Sequence, residues 1–237
     1  MPKVQNRYIN IKQKTKEVII MDNTTLYMTN LVRGYDVEGI CDFMQLQHLY
    51  DSAISEVKTR LHILDNEFKV KFQRNPIHSI ESRLKSPQSI MEKLQRKGQP
   101  VTLASAKQHL YDIAGIRVIC HYIDDIYIIA DMLSKHDDVE VLKRKDYISE
   151  PKKNGYRSLH LVISVPVYLS TGKENVAVEI QIRTIAMDFW ASLEHQLRYK
   201  SDNQVSDELS QQLKNCAERI AQTDTEMQEI FYKLNEA

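Results

Sequence analysis

Glycine is scarce in this chain, six among 237 residues, and none of them builds a phosphate-cradling loop. Walker A and dinucleotide-fold loops need glycine so that backbone N–H groups can approach a phosphate, and both are excluded. Any phosphate bound here must be held by side chains. The three cysteines (Cys41, Cys120, Cys216) are odd in number and far apart, which argues against a disulfide framework or a zinc site and fits a reducing cytoplasm. No apolar run approaches the ~18–20 residues of a membrane span. The first residues hold only a four-residue apolar cluster, Val18 to Met21, without a small-residue cleavage site, so no signal peptide is expected. Gly-x-Ser-x-Gly and paired Cys/His nucleophiles are missing, and covalent catalysis has no support. The histidines show no metal-ligand spacing.

Net charge is also absent, with 32 Lys/Arg against 32 Asp/Glu, but its distribution is uneven. Residues 71–97 carry seven basic and two acidic residues, and residues 143–157 carry six and two. Residues 201–237 reverse the balance, with eight acidic and three basic. A cationic zone in a neutral protein suits a polyphosphate ligand better than duplex DNA, which usually demands a basic domain.

The periodicities predict one α+β domain with flanking helices. Residues 1–38 show no sustained pattern and are expected to be loosely structured. Residues 40–72 read as a helix whose inward positions are Tyr50, Ile54, Val57, Leu61, Leu64 and Phe68, stepping by four and three. Asn75-Pro76 ends it. Ser86-Pro87 and Gly98 bracket a helix over 87–97, and a short helix follows near 102–111. Strands are predicted at 115–123, 138–144, 159–169 and 176–184, with a helix at 124–136 turning Ile126, Ile129, Ala130 and Leu133 inward, and a hairpin turn over 170–175. In 209–234 the 4-3 spacing of Leu209, Leu213, Cys216, Ile220, Thr223, Met227, Ile230 and Leu234 matches a coiled-coil seam. Packing on its own domain and a subunit interface both fit that seam.

Strict alternation over 176–183 sends Val176, Val178, Ile180 and Ile182 one way and Ala177, Glu179, Gln181 and Arg183 the other. The polar side carries one carboxylate, one amide and one guanidinium, a lined pocket rather than a solubilising mixture. Ser89, Lys93 and Arg96 share one face of the 87–97 helix, with Arg83 and Lys85 just upstream. A cation ~4 Å from a phosphate charge gains ~4 kcal/mol at an effective dielectric near 20, before desolvation. A phosphate cradle and a solvated basic face both fit this pattern. Asp112 precedes the strand at 115, as an Asp cap or as a ligand; with Glu179 it supplies the two hard oxygen donors that a Mg²⁺–phosphate site uses. Tyr156, in the basic loop KKNGYR, is placed either to stack a base or to pack on the sheet.

The segments NPIHSIESRLKSPQSIMEKLQRKG, HLYDIAGIRVIC, KDYISEPKKNGYRSLHL and VEIQIRTIAMDFWASLEH together resemble the synthetase domain of the RelA/SpoT family, most closely its stand-alone small alarmone synthetases. The resemblance covers most of residues 75–200. It implies a nucleotidyltransferase-like mixed sheet and transfer of the β,γ-pyrophosphate of ATP to the 3′-hydroxyl of GTP or GDP, giving (p)ppGpp and AMP. By that resemblance Arg83 and Arg117 sandwich the adenine. Lys85, Ser89, Lys93 and Arg96 hold the ATP phosphates, with Arg96 also assisting the departure of AMP. Asp112 and Glu179 are the Mg²⁺ and catalytic carboxylates, and Glu179 takes the 3′-hydroxyl proton. Tyr156 stacks guanine. Lys145, Lys152 and His160 meet the acceptor phosphates with Gln181 nearby, and Asp188 accepts the guanine N1 and N2 protons. A synthetase domain over 39–200, a homotetramer built through terminal helices such as 201–237, synthesis without hydrolysis, and a cytoplasmic location are further expectations. The segment Lys143 to Asp146 is a Lys-for-Arg variant of the basic form in bifunctional relatives, leaving GDP against GTP open. A silent nucleotide- or RNA-binding module, and a nucleotidyltransferase with another acceptor, are the competing readings.

Overall fold

The computed structural model describes residues 37–200 and 206–235. The chain divides into two units, Met1–Met44 and Gln45–Ala237, and the sheet and site belong wholly to the second. The expectation for residues 1–38 lies outside the described residues, except that helix α1 (Val37–Phe72) already begins at its end. Among the described residues no helix is long and apolar enough to cross a membrane.

After α1 come β1 (Ile77–Leu84), α2 (Pro87–Arg96), α3 (Leu103–His109), β2 (Ala114–Cys120), α4 (Ile123–Ser134), β3 (Glu140–Asp146), β4 (Leu159–Leu169), β5 (Gly172–Thr184), α5 (Ile185–Lys200) and α6 (Asp207–Asn235). The five strands form one mixed sheet in the order β1-β2-β5-β4-β3. Only the β2–β5 pair is parallel, and its crossover runs through α4, β3 and β4. The α+β expectation holds.

The core follows the predicted faces. Every inward residue named for α1, from Tyr50 to Phe68, is buried, as are Ile126, Ile129, Ala130 and Leu133 of α4. Helix α4 lies against β2, β4 and β5, so one face of the sheet is closed by apolar packing: Ile116, Val118, Leu161, Ile163, Val178, Ile180 and Ile182 are all buried. Helix α2 is capped as its sequence predicts. Ser86 Oγ accepts from Ser89 N at 3.3 Å, Pro87 occupies the first turn, and Gly98 stops the helix at a φ of 65°, where glycine escapes the Cβ clash.

Several elements differ from the sequence reading, among them β2, which stops at Cys120 rather than running on to 123. Strand β1 was not predicted. Its apolar residues Ile77, Ile80 and Leu84 do not alternate, and its ladder with β2 shifts register between Ile77 and Ser79, so the period-2 signal is broken. Strand β3 starts two residues later than predicted. Strand β5 starts at Gly172, so the hairpin turn is only Ser170–Thr171, with Leu169 opposite Gly172.

Helix α6 resolves the seam. Leu213, Ala217, Ile220, Asp224, Gln228 and Phe231 face the domain as buried or half-buried residues, whereas Leu209, Thr223, Met227, Ile230 and Leu234 are exposed. It docks through polar as well as apolar contacts. Trp190 Nε1 donates to Leu213 O at 3.0 Å, Thr184 Oγ1 donates to Asp224 at 2.5 Å, and Phe231 stacks on Tyr122 at 4.3 Å.

Candidate active site

The site occupies the other face of the sheet, and strand register assembles it. Opposite Glu179 of β5 stands Gly115 of β2, and opposite Gly115 stands Arg83 of β1. One step along, Glu81, Arg117, Gln181, His160 and Lys145 form a row across all five strands. Paired residues of adjacent strands share a face, so five separated segments deliver their polar side chains to one surface. An open cleft of about 450 Å³ is lined by Arg83, Asp112, Gly115, Arg117, Glu179 and Gln181, among others. The carboxylates of Asp112 and Glu179 therefore line the same cleft.

On the β1–β2 side Lys85, Lys93 and Arg117 are paired with carboxylates. Lys93 Nζ and Lys85 Nζ lie 2.5 and 3.0 Å from Asp112 Oδ2. Burial pushes the Asp112 carboxyl up, but hydrogen bonds from Lys93 and Lys85, with their charges, outweigh it and leave the group below its ordinary value. Arg117 Nη1 lies 3.3 Å from Glu81 and 3.6 Å from Asp188.

On the β4–β3 side the cations lean on rings. Lys152 Nζ sits 4.6 Å from the ring centroids of both Tyr147 and Tyr156, and Lys145 Nζ donates to Tyr147 Oη at 3.3 Å. Tyr156 Oη and His160 Nε2 share a hydrogen bond of 2.9 Å. The loop carrying Tyr156 is pressed onto α6. Gly155 has a φ of 92°, and a Cβ there would stand 2.6 Å from Ala217 Cβ.

The two sides meet at Glu179. His160 Nδ1 lies 3.5 Å from Glu179 Oε1, and Gln181 Nε2 donates to Oε2 at 3.4 Å. The His160 contact leads in holding the Glu179 carboxyl below its ordinary value, against burial and the Asp112 charge, which push it up.

The predicted residues are mostly brought together. Arg83, Lys85, Lys93, Asp112, Arg117, Glu179, Gln181, His160, Lys145, Lys152 and Tyr156 join one continuous surface, and Asp188 reaches it between Arg117 and Arg183. Two stand apart. The Ser89 hydroxyl is engaged by Ser86 Oγ at 2.9 Å, and Arg96 is exposed in the last turn of α2 with no hydrogen bond or ion pair among the described residues. Sequence reasoning missed Tyr147. Its signal was present in the row of basic residues around it, KRKDY and PKK, where a single aromatic side chain can serve two lysines.

Among the described residues no group of three or more His, Cys, Asp or Glu side chains is placed to hold a metal ion. That excludes an all-protein cage but fits Mg²⁺, which takes one or two carboxylates and completes its octahedron with water and substrate phosphates. Asp112 Oδ1 is buried without a hydrogen-bond partner, a free acceptor on the cleft that Glu179 also lines.

Residues 82–204 match the family model described as a region found in RelA/SpoT proteins. The chain is 48% identical over 179 residues to the GTP pyrophosphokinase YwaC of Bacillus subtilis (strain 168), covering 76% of this chain and 85% of that one. It is 38% identical over 188 residues to the GTP pyrophosphokinase YjbM of the same organism, covering 79% and 88%. The fold superposes on the crystal structure of small alarmone synthetase 1 from Bacillus subtilis bound to its product pppGpp, with a TM-score of 0.74, 36% identity and coverage of 82% and 98%.

Proposed function

The chain belongs to the RelA/SpoT family, and on that premise we propose that it is a GTP pyrophosphokinase that synthesises (p)ppGpp. The 3′-hydroxyl of GTP or GDP attacks the β-phosphorus of ATP. The bond from that phosphorus to the α,β-bridging oxygen breaks, AMP leaves, and the hydroxyl proton passes to Glu179. The observation that carries this reading is the junction at Glu179: one carboxylate bounded by a carboxylate-bearing cationic cleft on one side and an aromatic–cationic cluster on the other.

Each side chain has a task. Arg83, exposed on β1, and Arg117, on β2, flank the cleft where adenine would lie between guanidinium planes. Lys85 and Lys93 exchange Asp112 for the ATP phosphates, and Arg96 is free to follow the chain of phosphates. Asp112 and Glu179 would hold Mg²⁺, which when bound would neutralise charge on the phosphates and the leaving oxygen. Tyr156 carries the guanine, with Asp188 within reach of its N1 and N2 protons, and Lys145, Lys152 and His160 take the acceptor phosphates. Glu179, its carboxyl held below the ordinary value, is in the ionised form that a proton acceptor requires. Such a reaction needs positioning and charge neutralisation rather than a protein nucleophile.

Assembly into a homotetramer is part of the same proposal. Its support is the exposed stripe Leu209, Met227, Ile230 and Leu234 on α6, which the domain leaves uncovered.

The test is to incubate purified protein with ATP, Mg²⁺ and either GDP or GTP and to separate the products. AMP is expected together with a guanine nucleotide heavier by one pyrophosphate. AMP release that does not depend on a guanine nucleotide would overturn the reading.

A further inference from the structure

We infer that Arg183 is a positioning residue that fixes the guanine platform Tyr156 relative to the catalytic carboxylate Glu179. This rests on the function proposed above and adds a residue whose role neither the resemblance nor the relatives' names assign.

Arg183 follows Glu179 and Gln181 at the next position on the same face of β5, yet its side chain is only 3% exposed. Burying a guanidinium is unfavourable unless a carboxylate pairs it closely. Here the pairing is incomplete. Its one carboxylate among the described residues, Asp188, lies 3.5 Å away and is shared with Arg117 at 3.6 Å, and Arg183 Nε is buried with no hydrogen-bond partner among them. An arrangement selected only for stability would place an apolar residue there or a carboxylate of its own.

What the guanidinium does have is geometry. Nη2 donates to Gln181 Oε1 at 2.7 Å and to Tyr156 Oη at 3.4 Å, and Cζ lies 5.5 Å from the Tyr156 ring centroid. The short bond to Oε1 fixes the Gln181 amide, so that its Nε2 points at Glu179 Oε2. One rigid fork therefore orients the ring that would carry guanine and, through Gln181, the carboxylate that would take the 3′-hydroxyl proton. A lysine delivers its charge from the end of a flexible stem and lacks the planar fork that fixes both contacts at once.

The test compares Arg183→Lys and Arg183→Met with the unaltered protein in initial-rate kinetics, varying ATP and GDP separately. Both variants are expected to raise the KM for GDP about tenfold or more and to lower kcat, while the KM for ATP changes less than about twofold. A merely structural role would lower the active fraction, reducing kcat alone, and would overturn the inference. So would equal rises in both KM values. A cycle with Tyr156→Phe, a variant on a half-buried loop that keeps the ring, gives a second measure if Arg183→Met fails to fold. The GDP effects of Arg183→Lys and Tyr156→Phe are expected to be clearly less than multiplicative, because both remove the same bond. Multiplicative effects would show that Arg183 does not act through Tyr156. Failure of the functional reading looks different: the unaltered protein itself would then show no GDP-dependent turnover, and the inference would fall with it.

Discussion

The two sides of the cleft hold their cations by different means. Beside β1 and β2, Lys85 and Lys93 share the carboxylate of Asp112, and Arg117 lies near both Glu81 and Asp188. Beside β3 and β4, Lys145 and Lys152 touch aromatic groups and, among the described residues, no carboxylate. A phosphate entering the first side must exchange with an existing ion pair, which keeps the lysines in place when the site is empty. One entering the second meets undiminished positive charge on residues that rings hold in position. A basic surface can thus be preorganised either by internal counter-ions or by π faces, and a π face leaves the charge of each lysine uncancelled.

The residue common to both sides bears the largest expected effect. Glu179→Gln keeps the side-chain shape and a hydrogen-bonding group beside His160 but cannot accept a proton. Turnover is expected to fall by about 10²- to 10⁴-fold with nucleotide affinities little changed. Labelled pyrophosphate transfer checks this, and full activity in the variant would rule out the assigned role.

Tyr156→Ala breaks the aromatic side alone. It removes the stacking surface and one of the two rings under Lys152. Base–ring stacking is worth about 1–3 kcal/mol, roughly a 5- to 150-fold rise in acceptor KM. The ATP KM is expected to stay nearly constant, and equal movement of both would erase the distinction between the sides.

Gly155→Ala disturbs the same side more gently, from beneath. The added Cβ meets a φ of 92° and stands 2.6 Å from Ala217 Cβ, so the loop must shift away from α6. A several-fold rise in acceptor KM is expected, with thermal stability lowered by roughly 2–4 °C for each kcal/mol lost. Adding Ala217→Gly relieves the collision but not the backbone strain, and should restore part of the acceptor KM. If the second substitution restored nothing, contact with α6 would not be what sets the loop.

These sites were unequally legible in the sequence. Glu179 and its neighbours stood out because alternation on β5 is strict and its polar residues are few. The long helices were legible because their apolar spacing is regular. Strand β1 was invisible, since an edge strand with an irregular register carries no period. Helix α6 was legible only in part, for a physical reason. Its docking face is built from Ala217, Asp224 and Gln228 as well as Leu213, Ile220 and Phe231, while the more regular apolar stripe includes exposed Met227, Ile230 and Leu234. Small and polar residues that pack well leave no hydrophobic signature. The placement of Lys152 over two tyrosine rings was likewise unreadable, because Tyr147 and Tyr156 are brought together only by the loop's return to the sheet.

The smallest expected effect separates the two sides by acid. Asp112 lies below its ordinary carboxyl value because Lys93 and Lys85 outweigh burial. A group lowered on folding contributes stability above its unfolded value, about 3.9 for Asp, and loses that contribution as pH falls through the folded value. Asp112→Asn should therefore lower the thermal midpoint by roughly 2 °C at pH 7, a modest shift because the site is partly open to solvent. The gap should close as the pH falls below the unfolded carboxyl value and through the lower folded one, where the unaltered protein loses the same ion pairs. Lys152→Met on the other side has rings as partners rather than a carboxylate, so its stability difference should stay level across the same range. A pH-independent gap for Asp112→Asn, or an acid-dependent one for Lys152→Met, would mean that the two kinds of cation support do not differ in the way the distances imply.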